Sequence, residues 1–178
     1  MHTMTFKAAA VLFTFGALQP LGLFGQDATI PAPSTATPSY VEVHTYDHAR
    51  NAATDIDRAV AEARKTGKRI LVEIGGDWCP WCHSLDNFFQ QHPDLLQLRD
   101  RQFITVDVYY GKDQKNEQVL SRYSKVLGIP HFFVLDDNGT LLHSQHVVEL
   151  EAGGSYSTDK MKEFLIKWSA PNRNTASN

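Results

Sequence analysis

The side chains in this chain best suited to covalent chemistry are its two cysteines, which stand three positions apart in Trp78-Cys79-Pro80-Trp81-Cys82-His83. Residues at that spacing are neighbours on a helix surface, so a helical segment would let the two sulfurs form or break a disulfide. Pro80 suits the first helical position, where its missing N–H would be unpaired anyway. A helix start also offers free N–H groups and a partial positive charge, both of which stabilise a thiolate. Cys79, at the tip, is expected to be the more exposed sulfur and to attack; Cys82 is expected to resolve the mixed disulfide.

Three other uses of the pair compete. A purely structural disulfide would close a loop of only two residues, and its stabilisation grows with loop length. A zinc site needs four ligands, and two cysteines supply half of them. The stronger rival is covalent haem, since Cys-x-x-Cys-His also describes a c-type attachment site, with His83 as an axial ligand. The frame of strand, Gly75-Gly76 and helix around the cysteines is not required by haem, and it favours the dithiol.

Other elements must position this motif. Ile56, Ala59, Val60 and Ala63 recur at helical spacing, with Thr54 as the expected cap and Gly67 after the end. Arg69–Gly75 (RILVEIG) reads as a strand, 80–91 as a helix, Pro93 to Asp100 as another, and Phe103–Tyr110 (FITVDVYY) as a second strand. Leu120, Tyr123 and Leu127 mark a helix closed by Gly128. His131–Leu135 and Thr140–Val147 flank Asp136-Asp137-Asn138-Gly139, a hairpin turn that demands positive φ. Met161, Phe164, Leu165 and Trp168 form a final amphipathic helix capped by Ser157 or Thr158, and Val41–Tyr46 is a candidate extra strand. Such alternation implies an α/β sheet covered by helices.

Composition narrows the partners. With 17 basic against 20 acidic residues and a net charge of −3, the chain has no basic footprint for nucleic acid or anionic lipid. Residues 1–25 read as a secretory signal: Lys7 heads an uncharged, mostly apolar run from Ala8 to Leu18, too short to span a bilayer. An uncleaved anchor is the alternative, and no stable membrane insertion is expected once the signal is removed. Residues 26–40 carry three prolines and read as a linker, 41–168 as one domain, and 169–178 as a disordered tail. Export would place both cysteines in a periplasmic or otherwise extracytoplasmic compartment, where disulfides persist.

The frame ILVEIGGDWCPWC, together with Gly128-Ile129-Pro130 running into HFFVLDDNG, resembles the thioredoxin superfamily. The likeness runs from Thr54 to Trp168 and is nearest to exported bacterial thioredoxin-like proteins. It implies a thioredoxin fold, a central mixed sheet of four to five strands flanked by helices. It also implies an exported thiol:disulfide oxidoreductase that acts on disulfide-containing proteins, with reductive use favoured, no bound cofactor, and a redox partner protein that resets the dithiol. The alternative within the family is a redox-inactive module that binds client chains.

Carried over by position, Glu73 falls six residues before Cys79, where the family has a buried acid. The alternation of RILVEIG agrees, since both strand faces look covered; a buried carboxyl there would have a raised pKa and could accept the Cys82 proton. The plain alternative is a solvated strand carboxylate. Ile129-Pro130 would be the cis-proline loop that faces the cysteines and pairs with substrate backbone; the plain alternative is a strand-entry proline. His131 stands where many thioredoxins have threonine, which leaves substrate preference open. Trp78 matches a position that packs against the site. Trp81 departs from the usual glycine-proline spacer and is either an apolar contact for clients or a cover for the helix start. His83 is either a partner for the thiolate or a solvent-facing residue. The pairs His44/His48 and His143/His146 are assigned no metal.

Overall fold

A computed structural model describes residues 40–171. The expected signal segment, nearly all of the linker and most of the tail lie outside the described residues. Helix α1 (Ala52–Thr66) turns Ile56, Ala59 and Ala63 inward and ends at Gly67, whose φ of 75° suits a residue without a Cβ. Its cap is Asn51 and not the expected Thr54: the Asn51 side chain accepts the Thr54 N–H at 3.0 Å. Arg50 reinforces that start with a two-pronged bond to Asp55 at 2.6 and 2.8 Å. Strand β1 (Arg69–Gly75) follows, then α2 (Pro80–Gln91), α3 (Pro93–Gln102) and β2 (Phe103–Tyr109). After α4 (Glu117–Leu120) come β3 (His131–Leu135), β4 (Leu141–His146), one 3-10 turn at Val147–Leu150, the short strands β5 (Glu151–Ala152) and β6 (Ser155–Tyr156), and α5 (Thr158–Lys167).

The main sheet has the order β2-β1-β3-β4, with β1 and β2 parallel and the other neighbours antiparallel. Side-chain alternation divides the core. Ile70, Val72 and Ile74 join Ile104, Val106, Val108, Phe133 and Leu135 on the face covered by α1. Leu71, Phe103, Phe132 and Val134 pack on the other face with side chains of α2, α3 and α5. Each enclosed Val, Leu, Ile or Phe contributes roughly 1.5–3 kcal/mol by leaving water, so the central strands are the least movable part of the domain. The hairpin turn forms as expected: Asp136 Oδ1 accepts the N–H groups of Asn138 and Thr140 at 2.9 and 2.8 Å, and Gly139 has φ 84°.

Two further expectations fail, for local reasons. The helix foreseen through Leu127 stops at Leu120, and Leu127 is 64% exposed. Past Leu120 the Arg122 and Tyr123 N–H groups bond the Val119 and Leu120 carbonyls three residues back, a tight turn that does not continue the α-helix. The candidate strand at Val41–Tyr46 shrinks to one parallel bridge, Val43 to Val106, with the Asp107 N–H donating to the Val43 carbonyl at 2.9 Å. A turn on Asp47, whose carboxylate accepts the Ala49 N–H, then leads the chain away.

Candidate active site

Cys79 is the N-cap of α2 and Pro80 occupies its first turn, as the spacing predicts. The Cys79 backbone is extended, and its sulfur accepts the Cys82 N–H at 3.2 Å, so one of the helix's free N–H groups is aimed at this sulfur. The sulfurs are less unequal in exposure than expected: Cys79 is 3% exposed and Cys82 is fully enclosed. Chemistry separates them more than access does. Burial, and after it the hydrogen bond with Cys79, pushes the Cys82 thiol far above its ordinary range. Cys82 therefore holds its proton until another group takes it.

Glu73 is buried on the β1 face shared with Leu71 and Gly75. Desolvation raises its carboxyl to about 7, opposed by a hydrogen bond from the Tyr46 hydroxyl to Oε1 at 2.6 Å and by the charges of Arg99 and His44. Asp107 is its register partner on β2 and is likewise raised, first by burial and then by the Glu73 charge. A cavity of about 380 Å³ reaches this pair between Asp86 of α2 and Arg99 of α3. The solvated-carboxylate alternative for Glu73 is thereby excluded.

The Ile129-Pro130 peptide is cis. Ile129 packs against the small cluster of Tyr46, Cys79 and Cys82, which brings the proline loop to the dithiol. Trp78 differs from expectation: it is 56% exposed, lies over Gly76, and donates its indole N–H to the Tyr110 carbonyl at 3.1 Å. A side chain on Gly76 would collide with that ring, so the glycine gives Trp78 its surface position. Trp81 stands partly in solvent and partly against a neighbouring ring. It is 38% exposed, yet it meets Tyr156 edge-on at 5.9 Å, and its carbonyl accepts the Tyr156 hydroxyl at 3.0 Å.

His83 is exposed and donates Nε2–H to the Asp77 carbonyl at 2.7 Å, a bond from the first turn of α2 back to the loop before it. The haem reading fits this geometry poorly, because the Cys82 sulfur would have to carry a macrocycle while enclosed on all sides. His131 is fully buried, with Nε2 2.8 Å from the Ser144 hydroxyl, and burial lowers its pKa to about 4. Two groups at the site escape a reading of the sequence. Tyr46 ends the stretch expected as an extra strand, and no signal there marks it as a neighbour of the dithiol. Asp107 carried a signal, a carboxylate at an alternating position inside FITVDVYY, but its pairing with Glu73 depends on strand register.

Residues 51–137 match a family model described as thioredoxin-like. The thiol:disulfide interchange protein DsbD 2 of Pseudomonas aeruginosa is 24% identical over 187 residues, an alignment covering 95% of this chain and 29% of that protein. The thiol:disulfide interchange protein TxlA homolog of Synechocystis sp. is 34% identical over 85 residues, covering 47% of this chain and 43% of its own length. The chain thus spans less than half of either relative. Among solved structures, a disulphide isomerase from Xylella fastidiosa aligns with a TM-score of 0.60 at 24% identity, over 72% of this chain and 98% of that one. The oxidised C-terminal domain of DsbD from Neisseria meningitidis aligns with a TM-score of 0.53 at 16% identity, over 70% and 98%. Fold, family model and sequence relatives agree, and residues 51–137 form a thioredoxin-like domain.

Proposed function

We propose that this domain is an exported thiol:disulfide oxidoreductase that exchanges disulfides with protein substrates, used mainly as a reductase. The observation that carries the reading is the unequal pair at the start of α2: Cys79 receives a helix N–H, and Cys82 is buried with its proton beside a carboxyl of raised pKa. The Cys79 thiolate attacks one sulfur of a substrate disulfide; the substrate S–S bond breaks, and the departing thiolate takes a proton from water. Cys82 then gives its proton to the Glu73 carboxylate and attacks the Cys79 sulfur. The Cys79–Cys82 disulfide forms, the second substrate thiol leaves, and the substrate has gained two electrons. A reduced thiol protein must return those electrons to the dithiol.

Trp78, Trp81, Ile129 and Pro130 form the substrate-facing rim in this reading, with exposed indole surface for apolar segments and the proline loop for backbone pairing. Export rests on the Lys7 head and the Ala8–Leu18 run. The names of the sequence relatives, thiol:disulfide interchange proteins, support the reaction class.

The test is reduction of insulin by the pre-reduced protein, alongside a Cys82→Ser variant. Wild type should reduce the disulfides, and the variant should accumulate insulin linked to Cys79. Failure of both, in a protein whose two thiols are intact, overturns the reading.

A further inference from the structure

The segment ahead of α1 lies outside the residues that match the family model, which begin at 51. It is nonetheless tied to β2 at one end of a short arc and closed by a local turn at the other. Val43 accepts the Asp107 N–H at 2.9 Å, and the Asp47 carboxylate turns the chain by accepting the Ala49 N–H at 2.8 Å. Between these anchors Tyr46 is directed inward and buried, in one cluster with Cys79 and Cys82.

Gly75 permits the close approach. A Cβ at that position would stand 2.7 Å from the Tyr46 hydroxyl oxygen and 2.8 Å from the Cys82 sulfur, so both atoms crowd the space that glycine leaves empty. The same hydroxyl donates to Glu73 Oε1 at 2.6 Å. One phenol therefore touches the carboxylate and adjoins the thiol whose proton that carboxylate would accept.

We propose that Tyr46 is a positioning residue for the resolving half of the exchange, holding Glu73 ionised and oriented as the proton acceptor for Cys82. The inference rests on the thiol:disulfide exchange reading and deepens it. Glu73 is faced by Asp107 of β2, Asp86 of α2, Arg99 of α3, and His44 and Tyr46 of the N-terminal segment. Burial favours its neutral form, which has no capacity to accept a proton. Arg99, His44 and the Tyr46 hydroxyl oppose burial, and only Tyr46 donates a hydrogen bond to the carboxylate among the described residues. Tyr46 stays a donor throughout, because burial and the Glu73 charge push its own ionisation far above the ordinary tyrosine range.

An aromatic disulfide reagent that frees a coloured thiolate at each step separates the two cysteines. Attack by Cys79 releases the first thiolate, and attack by Cys82 on the resulting mixed disulfide releases the second. In wild type the second phase should speed up as pH rises through the titration of Glu73. In Tyr46→Phe its midpoint should move up by about one pH unit, since the charged form loses a hydrogen bond; below the midpoint the second phase should slow about tenfold. An NMR titration of the Glu73 side chain in the reduced proteins should show the same upward movement. A second phase with an unchanged midpoint, or an unmoved Glu73 titration, overturns the role of Tyr46 alone. A wild type without any second phase overturns the exchange reading, and this role with it.

Discussion

Two buried ionisable groups sit in neighbouring central strands, Glu73 in β1 and His131 in β3, one strand apart in the same sheet. Burial drives both toward their neutral forms, so the carboxyl is raised to about 7 and the imidazole lowered to about 4. The outcome differs because their surroundings differ. Glu73 faces a cavity and receives a phenol hydrogen bond and two opposite charges, which return its titration to neutral pH. Among the described residues His131 packs against Phe133, pairs only with the Ser144 hydroxyl, and lies beside His146, whose charge opposes its own. A central strand thus holds a titrating acid where polar partners reach it, and an inert base where they do not.

The largest expected effect follows from removing the acid. Glu73→Gln should slow the Cys82-dependent phase of thiol exchange about 100-fold near pH 7, within the usual range for loss of a proton-transferring group. His131→Phe should leave that phase within about twofold. Equal losses in the two variants would break the distinction between a working and an inert group.

Stability should respond next, and with opposite signs. Between roughly pH 6.5 and 4 the unfolded chain protonates His131 while the folded protein does not, so this contribution to stability is lost as pH falls. Glu73 acts in reverse: between roughly pH 4.3 and 7 the folded protein binds the extra proton, so stability is lost as pH rises. Urea melts across pH should therefore show His131→Phe flattening the acid side. Glu73→Gln should gain on the order of 2 kcal/mol above pH 7. A Gln variant that is no more stable than wild type at pH 8 would mean that the carboxyl is better solvated than its burial implies.

The smallest effect should come from Asp86→Asn. The Asp86 charge raises the Glu73 carboxyl, so its removal should lower the midpoint of the second phase by less than about one pH unit, opposite in direction to Tyr46→Phe. Movement of both midpoints in the same direction would contradict the electrostatic account of the cavity.

Much of this arrangement is legible in the residue order, because it depends on short-range rules. The place of Cys79 at a helix start follows from Pro80 and the three-residue spacing, and the β3–β4 turn follows from Asp136 and Gly139. The burial of Glu73 follows from alternation in a strand whose neighbours on both faces are apolar. Where such rules are weaker, expectation and structure part. Periodicity extends α4 toward Leu127, but the chain tightens into three-residue turns after Leu120, and Trp78 looks like a packing residue until its ring is seen half in solvent over Gly76, with its N–H on the Tyr110 carbonyl.

By itself, then, the sequence determined which atoms could react and on what local element each would sit, since caps, turns and strand faces are set within a few residues. Tertiary structure decided how the site is tuned. Tyr46 reaches Glu73 across 27 positions of sequence, and Asp107 meets Glu73 only through the β1–β2 register. Desolvation, hydrogen bonding and charge act through distance in space, so the proton affinity of Glu73 became defined only when those strands and the segment ahead of α1 came together.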